Sequence, residues 1–264
     1  SIFILPVIAE LGLPIVSHGV ISVGPKYGCT HHLTLKELGY NSNNDHQEIV
    51  ERLENKDIGW AYADQSMFNP KLHNLMSLRK QIIKRPVITT VEVLVKPVSS
   101  KNDMFFTGFV HKPYPPIYLE LSRNAQFNSA TVIRGTEGGI IPSLRQTGKV
   151  HFYHGAGEQD DYYDITPEDL GIVQSSRAVD IPEEITRKNT KDKIESKVDA
   201  VDIAKETIKS GISALSGNDG PMLSCIQLGA AIILQRATGN DLGNCSKEVL
   251  QVLKSGAALK RIKR

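Results

Sequence analysis

Between Asn128 and His154 the chain reads NSATVIRGTEGGIIPSLRQTGKVHFYH, where Arg134, Arg145 and Lys149 stand against one acid, Glu137. That set suits an anion. It lacks the adjacent carboxylates that hold Mg²⁺ for phosphoryl or pyrophosphate chemistry. A second basic cluster comes earlier: Lys71, Arg79, Lys80, Lys84, Arg85, Lys96 and Lys101, with Glu92 as its acid. On a helix, Arg79, Lys80, Lys84 and Arg85 lie near one face. Such a face is either solvated or a salt-sensitive, phosphate-tracking groove. Tyr114, Tyr118, Phe152 and Tyr153 are candidates for stacking on bases, although such aromatics more often fill cores. Neither a catalytic residue nor a metal site stands out. His31 and His32 are adjacent, and His151 and His154 point to opposite faces of a strand. Glu158, Asp160, Asp161 and Asp164 read as a hydrated loop. Lys260, Arg261, Lys263 and Arg264 read as a mobile basic tail that suits a helix C-terminus.

The elements that must position these residues follow from pattern and punctuation. Ala130–Ile133 is β-branched and reads as a buried parallel strand, stopped at Arg134–Gly135. Gly138–Gly139 lets the following loop turn or approach closely. Ile2–Leu11 reads as the end of an apolar helix and Leu13–Ser17 as a strand. Gly24–Gly28 is a glycine-rich turn, and Thr30 caps a helix over 31–38. A second short helix spans 45–53, and Ile58–Tyr62 is a strand. Pro70 opens a helix to about Lys84. Val87–Val95 fits strand or helix equally well. Thr107–Val110 is a strand, and a helix runs from Pro115 to about Ala125. Val150–Tyr153 is a strand, Asp164–Gly171 a loop, and Pro182–Lys197 a solvated connector of mixed charge. Helices over 200–215, 221–237 and 246–262 close the chain, the middle one apolar all round and therefore buried. Strands alternating with helices predict an α/β fold with a mainly parallel sheet flanked by helices.

With 264 residues and 40% hydrophobic content the chain can bury a sizeable core. A net charge of +2 gives no overall field favouring nucleic acid, so a basic partner site must come from clustering. Cys29, Cys225 and Cys245 are scattered, which suits reduced thiols and a cytoplasmic location. No apolar run reaches the roughly 20 residues of a membrane span, and the opening lacks the basic start of a signal peptide. The chain begins in mid-pattern without Met, which suggests that residues precede it.

Several segments together resemble the anthranilate phosphoribosyltransferase and nucleoside phosphorylase superfamily, the glycosyl transferase family 3 fold. They are HGVISVGPKYG (18–28), LKELGYN (35–41), NPKLHNLMSLRK (69–80), ATVIRGTEGG (130–139), DITPEDLGI (164–172) and GNDGPMLSCIQLGAAIIL (217–234). The resemblance implies one α/β domain over 1–264, with 25–55 contributing to or bordering a small helical domain, and a homodimer. It also implies that the N-terminal helices and the first strand with its phosphate loop are missing. Lys26, Gly28, Pro70–Lys71, His73 and Arg79 match the family's pattern, and Lys26, Gly28 and Arg79 would be its phosphate contacts. The acidic pair that holds Mg²⁺ in the family's enzymes is replaced by Gly138–Gly139–Ile140–Ile141–Pro142. An Asn after the family's His–Gly is Val20 here. The run RGTEGGIIPSLRQ looks like a divergent, non-catalytic branch that binds nucleic acid.

The expected function is therefore nucleic-acid binding, single-stranded and nonspecific, in a basic cleft of Lys71, Arg79, Lys80, Lys84, Arg85, Arg134, Arg145 and Lys149, without a cofactor. The alternative is an active phosphoribosyl or glycosyl transferase that uses phosphoribosyl pyrophosphate, with Mg²⁺ required only in that case.

Overall fold

In a computed structural model, residues 1–21, 29–82, 87–187 and 199–264 are described, except for the side chains of Lys80, Glu137, Thr186 and Arg187. The glycine-rich turn, the end of the helix expected to reach Lys84 and most of the 182–197 connector fall outside them.

The chain opens with apolar helix α1 (Ile4–Glu10), whose Ile4, Val7 and Ile8 are buried. Strand β1 (Ile15–Gly19) follows, then α2 (His31–Glu37) and α3 (His46–Glu54). Thr30 caps α2 by accepting from Leu33 N–H at 3.1 Å. Asp45 and Glu48 form a reciprocal capping box on α3. Strand β2 (Trp60–Asp64) lies parallel to β1 and is buried at every residue, whereas every residue of β1 is partly exposed.

After the short helix α4 (Gln65–Phe68), helices α5 (Pro70–His73) and α6 (Met76–Gln81) stand where a single helix was expected from Pro70. The ambiguous stretch 87–95 is helical, with α7 (Ile88–Val91) running into a 3-10 turn over Glu92–Leu94.

A second sheet begins with β3 (Met104–Phe109) and, after α8 (Tyr114–Asn124), β4 (Ser129–Arg134) lies parallel to it. Strands β5 (Gly148–Tyr153) and β6 (Asp161–Ile165) then add on antiparallel, so the sheet order is β3-β4-β5-β6. The strands expected over 13–17 and 58–62, and over 107–110 and 130–133, pair in parallel, whereas the strand expected over 150–153 pairs antiparallel with β4. Residues 161–165, expected as part of a loop, form that edge strand.

The short α9 (Glu183–Arg187) precedes three closing segments: α10 (Ala200–Leu215), α11 (Pro221–Thr238) and a broken pair, α12 (Leu242–Ser255) and α13 (Ala257–Ile262). Gly256, at φ +69°, makes the break by adopting the left-handed region that a glycine tolerates. α11 is buried almost throughout, as its composition requires, and packs against α1, α10 and α12. Each of its buried Leu and Ile side chains contributes roughly 1.5–3 kcal/mol of transfer free energy. Among the described residues no helix is long and apolar enough to cross a membrane.

Candidate ligand-binding edge

The carboxyl ends of β1 and β2 gather the polar groups that the cores exclude. His18 ends β1 with Nε2 3.2 Å from the Val93 carbonyl; a carbonyl only accepts, so this nitrogen carries the proton. Phe68 meets its ring edge-on at 5.5 Å. Burial lowers the pKa of His18 against the opposing pull of that carbonyl, so the ring is neutral. At the end of β2, buried Asp64 caps α4, accepting from Ser66 N–H at 3.1 Å and from Ser66 Oγ–H at 2.9 Å. Buried His32 reaches across from α2, with Nδ1 3.6 Å from an Asp64 oxygen and Nε2 3.2 Å from Ser42 Oγ. Burial lowers its pKa too, Asp64 opposing and Lys36 reinforcing the shift, so at neutral pH the Asp64 contact joins a carboxylate to an uncharged ring.

Three buried polar atoms at this edge have no hydrogen-bond partner: the Tyr62 hydroxyl, Gln65 Oε1 and His32 Nδ1, the last lying 3.6 Å from Asp64. Buried polar groups are nearly always paired, so such a group needs a water or a ligand. The backbone of Gly19 lies against the Tyr62 hydroxyl so closely that a Cβ there would stand 3.2 Å from it. Two more such atoms, His73 Nδ1 in α5 and Thr136 Oγ1 just beyond β4, lie in the segments that follow the parallel strands. In open α/β sheets this is the side where ligands bind.

Two cations of the expected basic cleft are held in ion pairs. Arg79 donates to Glu92 at 2.5 Å, with both side chains largely buried (13% and 15% exposed), so the acid cancels the cation. Lys149 pairs with Asp164 at 3.0 Å and lies 3.8 Å from the centre of the Tyr162 ring. Lys71, Arg134 at the end of β4 and, beyond that strand, Arg145 are exposed. Lys26, Gly28, Lys84 and Arg85, together with the side chain of Lys80, lie outside the described residues. The aromatics proposed for stacking serve as core: Tyr118, Phe152 and Tyr153 are buried, and the Tyr153 hydroxyl donates to the Phe127 carbonyl at 3.1 Å. The tail is also structural, because Arg261 binds Glu10 and the carbonyls of Lys56 and Ile58.

The loop after β4 folds back on the sheet. Thr136 N–H donates to the Ile141 carbonyl at 2.9 Å, and Gly139 N–H to the Thr136 carbonyl at 3.1 Å. The Gly139 carbonyl presses so closely that a Cβ on Gly135 would lie 1.5 Å from it, and one on Gly108 2.1 Å. Ile140 and Ile141 then pack into the cores that α11 shares with α1 and with the second sheet. They belong to the stretch Gly138–Pro142, which carries no acidic residue. Apolar side chains cannot coordinate a hard cation. Among the described residues no group of three His, Cys, Asp or Glu is placed to hold a metal. The described residues of this edge do not fit Mg²⁺.

Residues 1–259 match the glycosyl transferase family, a/b domain. The chain belongs to that family. As a member it is 25% identical over 166 residues to the anthranilate phosphoribosyltransferase of Aeropyrum pernix, a match covering 63% of this chain and 46% of the relative. The chain thus spans under half the length of that relative. Its fold superposes on that of anthranilate phosphoribosyltransferase from Thermus thermophilus with a TM-score of 0.74 at 18% identity, over all of this chain and 71% of that one. The Saccharomyces cerevisiae enzyme in complex with PRPP and Mg gives 0.72 at 17%, over all of this chain and 67% of that one.

These relatives overturn the nucleic-acid reading. The family is one of glycosyl transferases, the relatives and solved neighbours just named are anthranilate phosphoribosyltransferases, and the cations that suggested a phosphate groove are in part already paired. What the sequence reading passed over was the cluster of His32, Tyr62, Asp64 and Gln65. Its signal was present in WAYADQS, where a strand carries an Asp and then a Ser two residues later, an N-cap pattern at the ligand-facing end.

Proposed function

We propose that this chain is the α/β portion of a pentosyl transferase that binds a phosphoribosyl-type donor at the carboxyl edge of β1, β2 and β4. The observation that carries the reading is the set of unpartnered buried polar atoms at that edge, in a chain of the glycosyl transferase family. Neutral acceptors and donors such as the Tyr62 hydroxyl and the Gln65 carbonyl suit the hydroxyls of a sugar. The exposed Arg134, at the end of β4, suits a phosphate. The yeast neighbour's complex with PRPP supports the donor class. On this reading His18, held by the Val93 carbonyl, orients the ligand through its unprotonated Nδ1 and carries no charge.

The proposal includes a homodimer, a cytoplasmic location and a border with a small helical domain at 25–55. Thermal unfolding of the full-length protein with millimolar PRPP, ribose 5-phosphate or ribose 1-phosphate tests the binding. A ligand at 100 times its Kd raises stability by about 2.7 kcal/mol. If none of the three raises Tm, the pentosyl reading is wrong. Light scattering checks the dimer.

A further inference from the structure

At the amino ends of β1 and β2, away from the candidate site at their carboxyl ends, the surface opens into a cleft of about 620 Å³. That volume lies within the roughly 300–1,000 Å³ of small-molecule sites. We propose that this cleft binds a free apolar amino acid, with its side chain on an apolar wall, its ammonium at Glu54 and its carboxylate at Lys56. The proposal does not rest on the pentosyl reading.

The wall comes from a seam between two cores. Ala9 and Leu13 belong to the main core, whereas Leu53 and Val98 pack on the cluster of Ile49, Ala61 and Ala63. All four line the cleft that opens between these cores. Helix α3 turns Ile49 inward, 1% exposed, but leaves its neighbour Val50 39% exposed on the cleft. A branched aliphatic side chain laid on this wall removes apolar surface from water on both partners.

The charges come from helix ends. Two helices finish at the cleft, and each finishes on an acid: Glu10 closes α1 and Glu54 closes α3. A carboxylate there meets the negative end of the helix dipole and calls for a cation. Glu10 has one in Arg261, whose guanidinium also donates to the carbonyls of Lys56 and Ile58 and is thereby spent. Glu54 has none. Among the described residues, neither the Glu54 carboxylate nor the Lys56 ammonium has a partner, and both residues are exposed. The cleft thus presents one free acid and one free base, two residues apart, beside an apolar wall. A neutral apolar ligand would leave both charges unused. A simple anion or cation would meet one unlike and one like charge. A zwitterion with an apolar body meets all three features, each charge gaining a charge-assisted hydrogen bond.

Isothermal titration of the full-length protein is the test, with leucine and phenylalanine as probes. N-acetyl-leucine, which lacks the ammonium, and leucinamide, which lacks the carboxylate, probe the two charges separately. The expected result is that leucine or phenylalanine binds with a Kd of about 1 mM or tighter, and that removing either charge from that ligand weakens binding about tenfold. Glu54→Gln should weaken the amino acid by a similar factor while leaving N-acetyl-leucine unchanged. Lys56→Met should do the same while leaving leucinamide unchanged. All these side chains are exposed, so the variants should keep the parent Tm. Val50→Asp places a charge on the wall and should abolish binding. If neither amino acid binds, or if the derivatives bind as well as leucine, the proposal is overturned. It is equally overturned if an amino acid binds but Glu54→Gln, Lys56→Met and Val50→Asp all leave its Kd unchanged, since the ligand then sits elsewhere.

Discussion

A single residue decides how the basic cluster behaves. Glu92 is the acid among seven cations between Lys71 and Lys101, and the fold brings it to Arg79, thirteen positions away. The sequence displays both residues but not their pairing, because the pairing is made by the turn of α7 into its 3-10 extension rather than by helical spacing. Replacing one member of a largely buried pair leaves the other uncompensated. Glu92→Gln is expected to destabilise the protein by roughly 2–4 kcal/mol, and Arg79→Met combined with it to recover most of that loss. Urea denaturation of the two single variants and the double variant measures the coupling; additive losses would mean that the pair is not formed. The histidines set the response to acid. The pKa values of His18, His32 and His151 are all lowered, in each case chiefly by burial. The folded state therefore binds fewer protons than the unfolded chain below the ordinary histidine value of about 6.5. Their contribution is complete above that pH and is lost as pH falls from it toward the lower folded values. The urea midpoint should accordingly drop between about pH 7.5 and about pH 5.5, with a shallower drop in His18→Gln. A midpoint that stays level across that range would contradict the burial of these rings.

At the level of elements, the loop from Gly135 to Pro142 has the tightest backbone packing in the site. Gly108 on β3 and Gly135 after β4 exist to let the Gly139 carbonyl approach, since either Cβ would overlap it. Gly108→Ala is expected to cost about 3 kcal/mol or more, because backbone rather than a flexible side chain must move. Gly157→Ala is the control: its Cβ would meet nothing within 4 Å, and it should change stability by less than about 0.5 kcal/mol. Equal Tm losses in the two variants would show that the loop does not pack this way. The sequence announced most elements well, because their signals are local. Thr30, Asp45 and Pro70 mark helix starts by chemistry that needs no tertiary partner. The apolar run of α11 can only be buried. It failed where the cause is long-range. The break between α5 and α6 comes at Asn74–Leu75, with neither glycine nor proline to mark it. Strand β6 is an exposed edge, with alternation in DYYDI too weak to separate it from a loop. The ligand-facing cluster was missed for the same reason, since His32 and Tyr62 come together only when α2 packs beside β2.

Across the whole molecule, the first and last helices are locked together. α13 lies against α1, and Arg261 binds Glu10 at the end of α1 as well as the carbonyls of Lys56 and Ile58 before β2. In return, the indole N–H of buried Trp60 donates to the Arg261 carbonyl at 3.1 Å, and Ile262 is 5% exposed in the main core. The final turn therefore holds the amino-terminal end of β2 in place, and β2 carries Tyr62 and Asp64 to the candidate site at its other end. Two truncations separate this role from a mere basic tail. Ending the chain after Ile262 removes Lys263 and Arg264, whose pair with Asp57 at 3.3 Å is solvent-exposed, and should cost less than about 1 kcal/mol. Ending it after Leu259 removes a buried isoleucine, the Glu10 contact and the acceptor for Trp60. That loss should be about 3–5 kcal/mol, roughly 10 °C in Tm for a chain of this size. Tryptophan fluorescence adds a local readout, because Trp60 is the chain's one tryptophan and would shift to the red as water reaches the indole. If both truncations lower Tm equally, charge rather than the Arg261–Ile262 turn is what the tail supplies.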